Sequence, residues 1–164
     1  MDLQDNNPFY GYTDAAYVNL EDYHSTSKYV FIVSARAITW GSCKQTIITL
    51  SSTEAEYIVL SEATHEAKWL TSLYGELDYQ AQEPITLLGN NDGSIAIATN
   101  PQFHKQSKHI AIRFHWIRQQ IQQNVLQIQS CRDPQQTANI LTKALTPEKH
   151  NQHVTGLGLG VSMA

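Results

Sequence analysis

The segment ITLLGNNDGSIAIATNP, residues 85–101, reads as a buried strand running into a short helix. Many α/β enzymes set a catalytic acid at such a strand end. Here two amides, Asn90 and Asn91, come before the first acid, Asp92. Asp92 is a poor stand-in for an acid at position 90. In extended chain it faces the same way but lies ~6–7 Å further along, and its expected role is to cap a helix beginning at Gly93. Glu56 is a second position of interest. At ~100° per residue, Val59, Leu60, Ala63, Ala67, Leu70, Tyr74 and Leu77 fall within an arc of about 100°, and Glu56 lies inside it. A carboxylate on such a core-facing stripe is costly unless it is paired or bound to a cation. Glu54 lies off the stripe and, with Ser51 three residues before it, has the form of a capping box. Asp14, near the end of FYGYTDAAYV (9–18), and Asn139, early in TANILTKAL (137–145), complete the set.

The elements that must position these residues follow from periodicity. Residues 9–18 are aromatic and β-branched and read as a strand; SKYVFIVSA (27–35) is nearly continuous in apolar residues, as a central strand covered on both faces would be. AITW (37–40) follows at hairpin distance, so the first three strands form an antiparallel meander. Residues 51–77 form the longest helix. Residues 85–88 form a short buried strand and 94–100 a short helix stopped by Pro101. KHIAIRFHWIRQQI (108–121) is a helix with Ile110, Phe114, Ile117 and Ile121 on one face. VLQIQSC (125–131) is a strand, and residues 137–145 are a last helix ended near Pro147. This order predicts an α/β fold: a mixed five-stranded sheet with helices packed on both faces. One domain is expected over residues 5–150, followed by a tail over 151–164. The GLGLG of that tail has no strand before it and no helix after it, so it is not a phosphate loop.

A chain of 164 residues with 41% hydrophobic content has enough apolar side chains to fold around a core of its own. No apolar run approaches the ~20 residues of a membrane span, and the polar, acidic opening MDLQDNNPFY is not a secretory signal. Cys43 and Cys131 stand far apart without a CxxC, which argues against a zinc knuckle and for a reducing, intracellular setting. The net charge of −4 is unevenly spread. From Gly93 to Arg132 there is no Asp or Glu, only Lys105, Lys108, Arg113, Arg118 and Arg132; the rest of the chain sets six cations against 15 acids. That split predicts one basic face on an acidic body. His104, His109 and His115 do not have the i, i+4 spacing of helical zinc ligands.

Seven segments in order, GYTDAAY (11–17), STSKYVF (25–31), AITW (37–40), LSSTEAEY (50–57), GSIAIATNP (93–101), HKQSKHIAIRFHWIR (104–118) and TANILTKAL (137–145), resemble the ribonuclease H domain that ends the polyprotein of copia-type LTR retrotransposons. The likeness covers nearly the whole chain. It implies a ribonuclease H fold and a family chemistry in which four carboxylates hold two divalent ions, Mg2+ or Mn2+, that hydrolyse the RNA strand of an RNA–DNA hybrid. Two dications held ~3.5–4 Å apart repel, so clustered anionic oxygens are required. In the alignment Asp14 takes the place of the first aspartate and Glu56 that of the glutamate, so Asp14 and Glu56 are the metal ligands that remain. Asn90 and Asn139 fall where the family has its other two aspartates. Ala16 and Ala111 also stand where the family usually or often has Asp.

The resemblance therefore implies a degenerate metal site whose formal charge has dropped by half. Weak metal binding and impaired or absent cleavage are expected, with Asn90→Asp and Asn139→Asp together restoring both. Lys105, Lys108, His109, Arg113 and Arg118 are the candidate contacts to nucleic-acid backbone. Implied partners are an RNA–DNA hybrid or other nucleic acid and the reverse transcriptase domain of the same polyprotein. Two other readings stay open at this level: an active Mg2+-dependent ribonuclease H that tolerates two amides, and a protein-binding scaffold or decayed remnant of an element.

Overall fold

The computed structural model describes residues 9–18, 22–78, 84–100, 108–141 and 143–160. Five strands, β1 (Phe9–Ala16), β2 (Thr26–Val33), β3 (Arg36–Lys44), β4 (Ile85–Gly89) and β5 (Leu126–Ser130), form one sheet in the order β3-β2-β1-β4-β5. The β1–β2 and β2–β3 pairs are antiparallel, and β1–β4 and β4–β5 are parallel. The helices are α1 (Ser52–Glu76), α2 (Asp92–Thr99), α3 (Lys108–Gln122) and α4 (Pro147–Gly156), with short 3-10 turns at Asp133–Gln135 and Thr137–Leu141. This is the mixed five-stranded α/β sheet expected, meander included.

Alternation along the strands sends side chains to two different cores. Phe9 and Phe31 face α1, where Ala63, Ala67 and Leu70 meet them together with Ile85, Leu87 and Leu126. Gly11 lies between them on that face; a Cβ there would come within 2.8 Å of the Phe31 ring, so the ring's seat requires glycine. Tyr10, Val30, Ile32 and Leu88 face the other way, onto Ala138, Cys131 and Leu157. A third cluster, Tyr57, Leu60, Ile97, Ala98 and Ile117, joins α1, α2 and α3.

Several boundaries differ from expectation for local reasons. The predicted 27–35 strand stops at Val33 because Ser34 and Ala35 both take positive φ, 49° and 60°, and make the two-residue hairpin turn into β3. At the start of α1 the Ser51 hydroxyl accepts from Glu54 N at 3.1 Å, and the Glu54 carboxylate accepts from Leu50 N at 2.8 Å. Leu77, placed on the buried stripe by periodicity, is the C-cap of α1 and is exposed. The helix predicted over 137–145 is a 3-10 turn ending at Leu141. Pro147 does not end a helix but opens α4, at the first helical position where its missing N–H costs nothing. Residue 150 lies inside α4, and Leu157, just beyond that helix, packs in the second core.

Candidate functional site

Parallel pairing brings the site together. β1 and β4 run in the same direction with Thr13 opposite Gly89, so the next residues, Asp14 and Asn90, emerge side by side. Asn90 Nδ2 donates to Asp14 Oδ1 at 3.1 Å. Glu56 arrives from the first turns of α1, where its Oε1 accepts from the backbone N–H of Ala15 at 3.1 Å. Asp14, Glu56 and Asn90 therefore meet at one end of the sheet. Asn139 is buried on the 3-10 turn and lines a cavity of ≈ 260 Å³ with Lys143, Lys149 and His153. Lys143 joins that cavity to the site, its Nζ lying 3.5 Å from Asp14 Oδ2. Asn91, not Asp92, caps α2, its Oδ1 accepting from Ser94 N at 2.9 Å. Asp92 occupies the first helical position and accepts from the Ser130 hydroxyl at 2.9 Å.

Two buried residues that sequence reasoning missed complete the arrangement. Lys28 lies directly opposite Asp14 in the antiparallel β1–β2 register, and its ammonium is bonded to Asp14 Oδ2. Both side chains are buried, at 0% and 1% exposure. A signal was present. Lys28 shares the alternation of Val30 and Ile32, so a lysine stood on a face otherwise filled with core residues. Gln136, also buried, donates from Nε2 to the carbonyl of Thr13 at 2.8 Å and to that of Leu88 at 3.4 Å, bridging β1 and β4 just before the site.

Glu56 has its carboxyl pushed up to about 7, first by burial and then by the neighbouring Asp14 carboxylate; the Ala15 N–H, Lys28 and Lys143 offset part of this. Asp14 has one oxygen held by an amide donor and the other by Lys28, with Lys143 close by. Two carboxylates, one amide and a buried ammonium do not fit a pair of dications. At an effective dielectric near 20, a dication and a unit charge about 4 Å apart interact by roughly 8 kcal/mol. The Lys28 ammonium thus cancels about what one carboxylate contributes, and Glu56 is protonated for part of the time near neutral pH. Among the described residues no three His, Cys, Asp or Glu side chains come together as a metal site.

The candidate backbone contacts are spread unevenly. Lys105 and His104 lie outside the described residues, and Lys108 and His109 fall within α3 with their side chains outside the description. Arg113 is half-buried, and Arg118, also half-buried, donates from Nη2 to the Ile97 carbonyl at 3.3 Å, tying α3 to α2. His115 is exposed. Cys43 is exposed; Cys131 is buried, and its thiol donates to the Arg132 carbonyl at 3.5 Å. Among the described residues no helix is long and apolar enough to cross a membrane.

No protein-family model matches the sequence. The chain is 36% identical over 138 residues to the retrovirus-related Pol polyprotein from transposon RE2 of Arabidopsis thaliana, a stretch covering 84% of this chain and 10% of that polyprotein. It spans about a tenth of the length of the curated polyproteins it matches. Among solved structures it is similar to ribonuclease H1 of Halobacterium salinarum NRC-1, with a TM-score of 0.56 at 14% identity over 79% of this chain and 89% of that one. It is similar also to LC11 ribonuclease H1 in complex with an RNA/DNA hybrid, with a TM-score of 0.56 at 13% identity over 78% of this chain and 88% of that one. The chain therefore belongs to the family of the copia-type retrovirus-related Pol polyproteins and has a ribonuclease H-like fold.

Proposed function

We propose that this ribonuclease H-like domain no longer carries out two-metal hydrolysis of RNA in RNA–DNA hybrids and serves as a nucleic-acid-binding module. One observation carries the first half: the Asp14 carboxylate is engaged inside the protein, by Asn90 on one oxygen and Lys28 on the other. Asn90 and Asn139 are degenerate catalytic positions, and Asp14 with Glu56 is too small an anionic set to hold Mg2+ or Mn2+ firmly. The second half rests on the stretch 93–132, which carries five cations and no acid, and on the shared fold with LC11 ribonuclease H1, captured with an RNA/DNA hybrid. Contacts from Lys105, Lys108, His109 and Arg113 would read phosphate and sugar, with binding that weakens as salt rises. Arg118 contributes mainly by holding α3 in place. In a polyprotein the reverse transcriptase domain would be the natural neighbour, in an intracellular setting.

The test is a labelled RNA–DNA hybrid incubated with the protein in Mg2+ and then in Mn2+. No cleavage is expected in either, while a complex forms that dissociates with salt. Efficient cutting by the chain as it stands would overturn the loss of chemistry. A hybrid that fails to bind even at low ionic strength would overturn the binding role.

A further inference from the structure

We propose that the Lys28 ammonium is a built-in replacement for the cation of this site, so that returning the two aspartates is not enough to bring a metal back. This rests on the reading of the site as a degenerate ribonuclease H centre. It changes what holds that centre shut. By sequence alone the missing charge at Asn90 and Asn139 accounts for the loss. The structure adds a positive charge that sequence reasoning had left out.

Three observations carry the inference. The β1–β2 register sets Lys28 straight across from Asp14, so the two side chains leave the sheet on the same face, close enough to bond. Neither is exposed, so water cannot take over from the aspartate if the lysine is drawn away. The neighbouring Ser27 is fixed on the other face. Its hydroxyl accepts from Gln45 Nε2 at 3.1 Å, and that same nitrogen donates to the Ala55 carbonyl of α1 at 2.9 Å, which holds the roll of the strand and keeps Lys28 inward. Lys143 is different in kind. Its side chain is 39% exposed, whereas that of Lys28 is shut inside the fold. An ion entering beside Asp14 must therefore approach a fixed charge of its own sign.

The experiment measures Mn2+ binding to the full chain by the electron paramagnetic resonance of free Mn2+, alongside the thermal midpoint with and without Mn2+. Asn90→Asp/Asn139→Asp is compared with the same double variant carrying Lys28→Met, which keeps the buried stem and removes the charge, and with one carrying Lys28→Arg, which keeps the charge. The Lys28→Met form is expected to bind Mn2+ at least about tenfold more tightly than the double variant and to melt higher when Mn2+ is added. The Lys28→Arg form should stay as weak as the double variant. Equal Mn2+ affinity with and without the lysine charge overturns the proposal. If the Lys28→Met form is unfolded on its own, circular dichroism during Mn2+ addition decides: folding supports the proposal, and failure to fold at any Mn2+ concentration overturns it. Hybrid cleavage by the parent chain would overturn the functional reading, whereas tight Mn2+ binding by the double variant with Lys28 in place overturns this inference alone.

Discussion

Two lysine–aspartate pairs of the same chemistry stand at opposite ends of the exposure scale. Asp22 and Lys44 meet on the surface, with side chains 33% and 60% exposed; Asp14 and Lys28 meet inside the fold, with 1% and 0%. Lys44 and the His24 N–H hold the Asp22 carboxyl below the usual carboxylate range, yet water stands ready to replace either partner. Asp14 has no such recourse. What separates the pairs is less the attraction within each than what is left when one member goes: a solvated ion in one case, a stranded buried charge in the other.

The largest effect is expected from Asp14→Ala, which leaves the Lys28 ammonium buried without its carboxylate. A loss of about 3–5 kcal/mol in urea unfolding is expected. Asp14→Leu combined with Lys28→Met should recover most of it, because two apolar side chains need no counter-charge. If the paired replacement is as unstable as Asp14→Ala, the cost lies in packing and the comparison with the surface pair breaks. The next effect depends on pH. Folded Glu56 keeps its proton up to about 7, against 4.5 for an ordinary glutamate, so between those values the native state binds more protons than the unfolded one. Stability from this group is complete below about pH 4.5 and is lost as pH rises through 7. Glu56→Gln should therefore gain about 2–3 kcal/mol over the parent near pH 8 and almost nothing near pH 4. A gain that does not vary with pH would remove the carboxylate from the explanation.

Smaller still is Lys143→Ala, expected to cost about 0.5 kcal/mol, since its ammonium is partly solvated and Lys28 continues to pair Asp14. Lys44→Ala closes the series, with a thermal midpoint within about a degree of the parent. Equal losses for Lys44→Ala and Lys143→Ala would place Lys143 with the surface pair; a loss for Lys143→Ala close to that of Asp14→Ala would make it a full member of the buried cluster.

The same contrast explains what could be read from the sequence. Strands and the long helix announce themselves through periodicity, and Ser51 and Pro101 mark ends, because each signal is local to one segment. Asp14, Glu56 and Asn90 were legible for a related reason: each sits at the end or on the inner stripe of an element that can be recognised alone. Lys28 was not, because its meaning belongs to two strands at once and appears only when β2 is set in register against β1. Asn91 rather than Asp92 caps α2 because the helix starts at Asp92, one residue before the expected Gly93, and the cap moves with it. The last helix failed for a different reason. The apolar spacing of Ile140, Leu141 and Ala144 imitates an α-helix, whereas Thr146–Pro147–Glu148 is a helix start, with the Thr146 hydroxyl facing Lys149 N.

The face of the sheet turned away from α1 bears on how the protein is made. Tyr10, Val30, Ile32 and Leu88 are covered there by Ala138, Cys131 and Leu157, and the Leu157 carbonyl accepts from Ala37 N at 2.9 Å beside the hairpin that joins β2 to β3. Gly158 follows with φ +69°, where a Cβ would come within 2.3 Å of the Ala35 carbonyl oxygen. Strands translated early thus wait for a lid translated more than a hundred residues later. On the ribosome the meander stays greasy on one side until residue 157 clears the exit tunnel, and a nascent chain that stalls before that point presents a sticky sheet to chaperones or to its neighbours.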